Sequence, residues 1–243
     1  MTLTMRMIVE RYSIDVPLLQ RSQFFSALDE AAFGELVPLA HVHVFRPGML
    51  ISETAGFSDS VFIVARGRVH CYRLSSAGSP VTLCILHGGD LFTEPRVITP
   101  GIPAYTPGPR VQPALSAHFQ TVTEVVVYCF PTHAVQVCVS ADWRAAAAWT
   151  SLQNGWMSDL YSRLEELAIH DVPQRLAHTL ARLSATSDDS MVLETHQELA
   201  WLVGASRETI TKELNKLRRM KLIEYEQHHT GIRVADSERL RVL

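Results

Sequence analysis

Apolar residues recur at two different periods along the 243-residue chain, and the change falls near His133. From His41 to about Phe130 the apolar runs are short and rich in β-branched and aromatic residues. They include Ser60–Ala65, Arg68–Arg73, Val81–Leu86 and Phe119–Tyr128. Pro47-Gly48, Gly67, Ala77-Gly78 and Gly88-Gly89 punctuate them, as residues with preset or permissive φ do at turns. Strands of about six residues at this spacing predict a small antiparallel barrel or roll. Pro95, Pro100, Pro103, Pro107, Pro109 and Pro113 then mark an irregular loop, since they are half of the chain's 12 prolines.

Beyond His133 the period becomes helical. Ala141 to His170 contains no proline and one glycine, Gly155. Its apolar residues Trp149, Leu152, Trp156, Met157, Leu160, Leu164 and Leu167 follow three- and four-residue steps. This predicts one helix of about 30 residues, roughly 45 Å long. Arg163, Glu165 and Glu166 flank the apolar seam formed by Leu152, Trp156, Met157, Leu160, Leu164 and Leu167, so the seam suits pairing with a second copy. The first half can at the same time pack on the chain's own roll. Asp171-Val-Pro-Gln opens a further helix with Pro173 in its first turn, and Ser184–Ser190 reads as a loop.

A short motif follows. Thr195-His-Gln-Glu198 fits a capping box, opening a helix that stops at Gly204. Ser206 then caps Arg207–Arg219, in which Ile210, Leu214 and Leu217 face inward while Arg207, Glu208, Thr211 and Lys212 face out. Helix, tight glycine turn, helix is the helix-turn-helix arrangement. Glu213 sits at a position that such helices often fill with an apolar residue. Leu222–Val234, turning around His228 to Gly231, reads as a wing, so two short helices and a terminal hairpin complete the C-terminal region.

Composition narrows the function. The chain is 47% hydrophobic and carries a net charge of −3, which excludes a globally basic nucleic-acid coat. No apolar run approaches the roughly 18 residues of a spanning helix. Residues 1–17 lack the uncharged core of a signal peptide, so a soluble cytoplasmic protein is expected. Charge is nevertheless concentrated. All three lysines (Lys212, Lys216, Lys221) lie close together with Arg207, Arg218 and Arg219, against only Glu208 and Glu213. Such a stripe is the electrostatic footprint of contact with a phosphate backbone.

The stretch Val203-Gly-Ala-Ser-Arg-Glu-Thr-Ile210, with Asp171-Val-Pro-Gln-Arg-Leu-Ala177 upstream, resembles the Crp/Fnr family of bacterial transcription regulators. Gly67-Arg-Val, Ala77-Gly78 and Leu86-His-Gly-Gly-Asp-Leu-Phe92 resemble that family's β-roll, and the likeness runs from about residue 25 onward. It implies an α+β chain: an antiparallel, jelly-roll-like β-roll sensor (1–133), a long dimerisation helix (134–170) and a winged helix-turn-helix DNA-binding domain (171–243). By the same resemblance Arg207 and Lys212 would donate to guanine and Glu208 would accept from a base amine. Gln197, Ser206 and Thr209 match phosphate-holding positions, and Lys216 belongs to the same basic stripe. The expected partners are double-stranded DNA, a second copy of the chain and RNA polymerase, with no membrane partner. The Arg-Glu start resembles the catabolite activator branch, which favours a TGTGA-like palindrome. Such a protein is a regulator, not an enzyme, so no catalytic or metal-binding residue is assigned.

The expected effector pocket holds Glu94, Arg110, Leu160 and Tyr161. It departs from the cyclic-nucleotide pattern. Pro113-Ala114 stands where an Arg-Ser pair would neutralise the phosphate, and Leu160-Tyr161 replaces the adenine-contacting Thr-Ser. Classical cyclic AMP is therefore disfavoured. An Fnr-type iron–sulfur cluster is disfavoured too, because residues 1–70 contain no cysteine. Haem at His70 or His87, a redox-active pair of Cys71 and Cys84 brought cross-strand by a turn at Ala77-Gly78, and an effector-independent regulator stay open. A cupin-like metalloenzyme built on His41 and His43 is the distant alternative, lacking a further ligand at suitable spacing.

Overall fold

The structure is a computed structural model that describes residues 13–54, 59–76, 78, 80–93, 117–185, 190–225 and 231–243. The chain divides into two compact units, residues 1–80 with 84–157, and 81–83 with 158–243.

The first unit is the expected antiparallel roll. Strands β1 (His41–Phe45), β7 (Val125–Pro131), β2 (Ser60–Arg66) and β5 (Leu91–Thr93) form one sheet in the order β1-β7-β2-β5. Strands β4 (Pro80–Leu86), β3 (Val69–Leu74) and β6 (His118–Thr121) form a second sheet in the order β4-β3-β6. Register places His41 opposite Cys129 and Val61 opposite Phe130, with a bulge in β2 between Val64 and Arg66. Phe92 stacks between Phe62 of its own sheet and Phe119 of the other, at centroid separations of 5.1 and 4.9 Å. These rings join the two sheets into one core.

Three features differ from the sequence reading. Phe119–Tyr128 is two strands, because the chain leaves the ladder at Val122–Glu124. There the backbone N–H of Arg68 is taken by Thr123 Oγ1 at 3.0 Å, and Thr121 Oγ1 donates to the Arg46 carbonyl at 2.6 Å. Among the described residues two α-helices precede the roll: α1 (Val16–Arg21), capped by Asp15, and α2 (Glu30–Leu36), capped by Asp29. Between them Phe24 and Phe25 are fully buried. The long helical stretch is also divided. Helix α3 (Thr132–Ala141) ends at Asp142, which adopts extended φ/ψ and accepts from the Arg144 N–H at 2.9 Å, opening α4 (Trp143–Ile169). Trp149 on α4 meets Phe24 edge-on at 5.5 Å, and Leu152 and Trp156 pack against the same core.

Cys71 and Cys84 face each other across the second sheet as free thiols. The hydrogen bond with Cys84, and then burial, hold the Cys71 thiol well above its usual range. Thiolate, the reactive form, is thereby disfavoured at Cys71. Among the described residues no group of three or more His, Cys, Asp or Glu is arranged to hold a metal ion, and no helix is long and apolar enough to cross a membrane.

The second unit is built on α5 (Val172–Ala185), α6 (His196–Val203), α7 (Arg207–Arg219) and a three-stranded sheet. That sheet has the order β8 (Met191–Val192), β10 (Ile232–Val234), β9 (Ile223–Tyr225). Asp171 and Gln174 cap α5 reciprocally, each side chain taking the other's backbone N–H at 3.0 and 3.1 Å. The helix runs to Ala185, one residue past Ser184, which the sequence placed in a loop. Ser184 is buried and its hydroxyl bonds the Ala181 carbonyl. The terminal hairpin is not the last element, because α8 (Ser237–Arg241) follows, capped by Asp236 and anchored by fully buried Leu240. Leu176, Leu180, Leu199, Ile210, Leu214 and Leu222 form the core.

Candidate nucleic-acid interface

Local chemistry sets each boundary of the helix-turn-helix. Thr195 Oγ1 accepts from the Glu198 N–H at 3.2 Å, and the Glu198 carboxylate accepts from the Thr195 N–H at 2.7 Å. Both orphan donors at the start of α6 are thus satisfied. At its other end Gly204 takes the left-handed conformation (φ 70°, ψ 47°), and the N–H groups of Gly204 and Ala205 both converge on the Ala200 carbonyl at 3.0 Å. Ser206 restarts the helix by accepting from the Thr209 N–H at 3.2 Å.

Two arginines brace this turn. Arg175 on α5 donates from Nε to the Val203 carbonyl (2.9 Å) and from Nη1 to the His170 carbonyl (2.8 Å). Arg163 donates from Nη2 to the Trp201 carbonyl at 3.0 Å. The last carbonyls of a helix have no intrahelical donor, and these guanidinium groups supply hydrogen bonds there. The sequence reading did not find these arginines, because their partners are backbone atoms 28 and 38 residues away.

Helix α7 separates its faces cleanly. Ile210, Leu214 and Leu217 are buried, and Arg207, Glu208 and Lys212 are exposed. The outer face carries an open groove lined by Arg207, Glu208, Thr211, Lys212, Asn215 and Arg219. Asn215 and Arg219 were missed as site residues, although Arg207, Thr211, Asn215 and Arg219 form an unbroken four-residue series. Glu208 sits in the first turn. Hydrogen bonds from its own backbone N–H and from Ser206 hold its carboxyl below the usual range, so it is a charged acceptor.

The phosphate candidates fall in different settings. Gln197 is exposed in the first turn of α6. Ser206 and Thr209 lie together at the start of α7, their hydroxyls 3.0 Å apart. Lys216 is drawn to Glu213, with Nζ 2.7 Å from Oε1. That pair explains an acid at an inward position, since buried Glu213 has a cation to neutralise it.

On α4 the apolar stripe changes character along its length. Leu152 and Trp156 are half-buried, whereas Met157, Leu160, Leu164 and Leu167 are 53%, 38%, 63% and 45% exposed. Of the expected effector residues, Leu160 and Tyr161 are exposed on this helix, and Glu94 and Arg110 lie outside the described residues.

Comparison with known proteins agrees with this geometry. Residues 174–243 match the model of the Crp-like helix-turn-helix domain. Over 230 residues, spanning 92% of this chain and 96% of the relative, the sequence is 26% identical to a CRP-like cAMP-activated global transcriptional regulator of Mycobacterium tuberculosis. The fold is similar to that of FixK2 from Bradyrhizobium japonicum (TM-score 0.69, 16% identity, 84% of this chain and 96% of the other). It is also similar to that of a putative transcriptional regulator of the Crp/Fnr family from Eubacterium rectale (TM-score 0.60, 18% identity, 90% and 96%). Residues 174–243 thus form a Crp-like helix-turn-helix domain, and the chain over nearly its whole length is similar to transcription regulators of the Crp/Fnr family.

Proposed function

We propose that the protein acts as a homodimer that reads a TGTGA-like palindrome, with one α7 entering the major groove at each half-site. The observation that carries this reading is the exposed first turn of α7, where Arg207 and Glu208 stand clear while Ile210 and Leu214 anchor the helix from behind. Arg207 and Lys212 donate to guanine O6 and N7, and Glu208 accepts from a cytosine or adenine amine. Gln197, Ser206, Thr209 and Lys216 supply donors to the phosphates, which fix register without reading sequence. Lys212 carries charge but no planar fork, which relaxes discrimination at its base pair. RNA polymerase is the further partner that such a regulator implies.

The signal the protein answers to is not cyclic AMP on this reading. Leu160 offers no hydrogen bond where an adenine would need one, and Pro113-Ala114 offers no cation for a phosphate. The M. tuberculosis relative is named cAMP-activated. This chain departs from the cyclic-nucleotide pattern at the residues that would hold that ligand.

The test is fluorescence anisotropy on a duplex carrying the palindrome and on a scrambled duplex. Arg207→Ala is expected to weaken the specific complex by about 1–3 kcal/mol and to leave random DNA nearly unchanged. Equal losses on both duplexes would remove Arg207 from base reading. Added cyclic AMP is expected to leave the titration unmoved.

A further inference from the structure

His196, the first residue of α6, is the polar centre of the helix-turn-helix. Its Nδ1 lies 3.0 Å from Thr211 Oγ1 on α7, and its Nε2 lies 3.1 Å from the Tyr225 hydroxyl on β9. One imidazole thus joins the recognition helix to the wing strand.

The direction of each proton follows from the donors available. Thr211 Oγ1 also lies 2.9 Å from the Arg207 carbonyl, one turn earlier. A carbonyl only accepts, so the single Thr211 proton goes there. His196 Nδ1 must then be the donor to Thr211. In the neutral ring Nε2 is left as an acceptor, and it takes the Tyr225 proton. Burial, and then the charge of Arg207, press His196 toward that neutral form. The Arg218 guanidinium lies over the Tyr225 ring, 5.7 Å from its centroid.

This arrangement has a consequence for the groove. Thr211 lines it beside Arg207, Glu208 and Lys212. Its hydroxyl proton is committed to a backbone carbonyl and one of its two lone pairs accepts from His196, so it has no proton left to donate to a base, and its methyl is the group available for apolar contact. In the major groove the apolar feature of a base pair is the thymine 5-methyl, and a threonine methyl matches it by contact.

We propose that Thr211 is a specificity-determining residue that reads the 5-methyl group of a thymine, and that His196 is the positioning residue that turns the Thr211 hydroxyl away from the groove. The proposal rests on the reading of α7 as a DNA-reading helix. Thr211 thereby adds an apolar discrimination to the polar ones of Arg207, Glu208 and Lys212. A cytosine at that position lacks the methyl and so forgoes that apolar contact.

The experiment uses the full chain and a duplex enriched by that chain from a random pool. Each thymine is replaced in turn by deoxyuridine, which removes only the methyl. One thymine per half-site is expected to lose about fourfold in affinity, the worth of one buried methyl. Thr211→Ser keeps the hydroxyl bonds and removes the side-chain methyl, so it should bind thymine and deoxyuridine duplexes alike. Thr211→Val keeps a methyl and should stay sensitive. His196→Phe removes one of the two bonds that orient the Thr211 hydroxyl and should blunt the sensitivity, while the ring-nitrogen shifts of wild-type His196 should report a protonated Nδ1 and a bare Nε2. Tolerance of deoxyuridine at every position of a duplex bound specifically would overturn the proposal. So would a serine variant that keeps the sensitivity, or a His196 protonated at Nε2 alone. If no duplex is enriched from the pool, the DNA-reading assignment fails, and this one with it.

Discussion

Glu213 and Lys216 illustrate how one residue's setting decides another's role. Glu213 is buried on the inward side of α7, and the Lys216 ammonium 2.7 Å away neutralises it. Removing only the lysine leaves a buried carboxylate without its partner. Lys216→Ala is therefore expected to lower stability by about 1–3 kcal/mol in chemical denaturation. Replacing both residues with apolar ones of similar size, Glu213→Leu with Lys216→Met, should restore stability to at least the wild-type level. If Lys216 also touches a phosphate, Lys216→Ala will in addition reduce the salt slope of DNA binding by about one. His196 gives a pH dependence of definite sign. Burial and Arg207 lower its pKa in the folded chain, so the unfolded chain binds the proton more readily. Its contribution to stability is whole above the ordinary imidazole pKa, about 6.5, and is lost as pH falls toward the lowered folded value. Melting midpoints should thus drop more for wild type than for His196→Gln between neutral and mildly acidic pH.

At the level of elements, two glycines with similar φ make opposite demands. Gly204 (φ +70°) ends α6, and a Cβ there would touch only Leu167 at an ordinary 3.5 Å. Gly204→Ala should cost about 1–2 kcal/mol, the penalty of a left-handed residue alone. Gly67 (φ +94°) joins β2 to β3, and a Cβ there would overlap the Glu124 carbonyl. Gly67→Ala must therefore also displace the β6–β7 turn, and about 2–4 kcal/mol is expected from strain and overpacking together. Calorimetry that resolves the roll's transition would separate the two. The same contrast explains what was legible in the sequence. The helix-turn-helix could be read to the residue because Thr195, Gly204 and Ser206 act on backbone within five positions of themselves. Asp142 carries such a local signal as well, but the proline-free stretch from Ala141 to His170 concealed the break between α3 and α4. Strand β8 has two residues and depends on pairing with β10, 40 residues along, so no local pattern announces it. The arginine braces and the His196 link are likewise long-range. The fold was therefore more legible than the fittings that hold the reading helix in place.

At the scale of the whole molecule, the apolar stripe on α4 is the feature that the chain alone does not satisfy. Up to Trp156 it is covered by the chain's own core. From Met157 to Leu167 four large side chains recur at steps of three, four and three residues with substantial exposure. A run of this spacing fits the knobs-into-holes pairing of two helices, and contiguous apolar surface of this kind marks an interaction site. A palindromic target requires two copies of α7 held by one seam. Leu164, 63% exposed, is the point at which to break it. Leu164→Glu places a charge at the seam but on the surface of a single chain, so folding of the monomer should change by less than about 0.5 kcal/mol. Sedimentation should then report a dimer for the wild type and a monomer for the variant. Loss of the second copy removes the effective concentration that joins the two binding events, so affinity for the palindrome should fall about a hundredfold or more. Affinity for an isolated half-site should stay within a small factor of wild type. A variant that remains dimeric would move the pairing surface elsewhere on the chain, and a monomeric variant with undiminished palindrome affinity would separate DNA reading from dimerisation altogether.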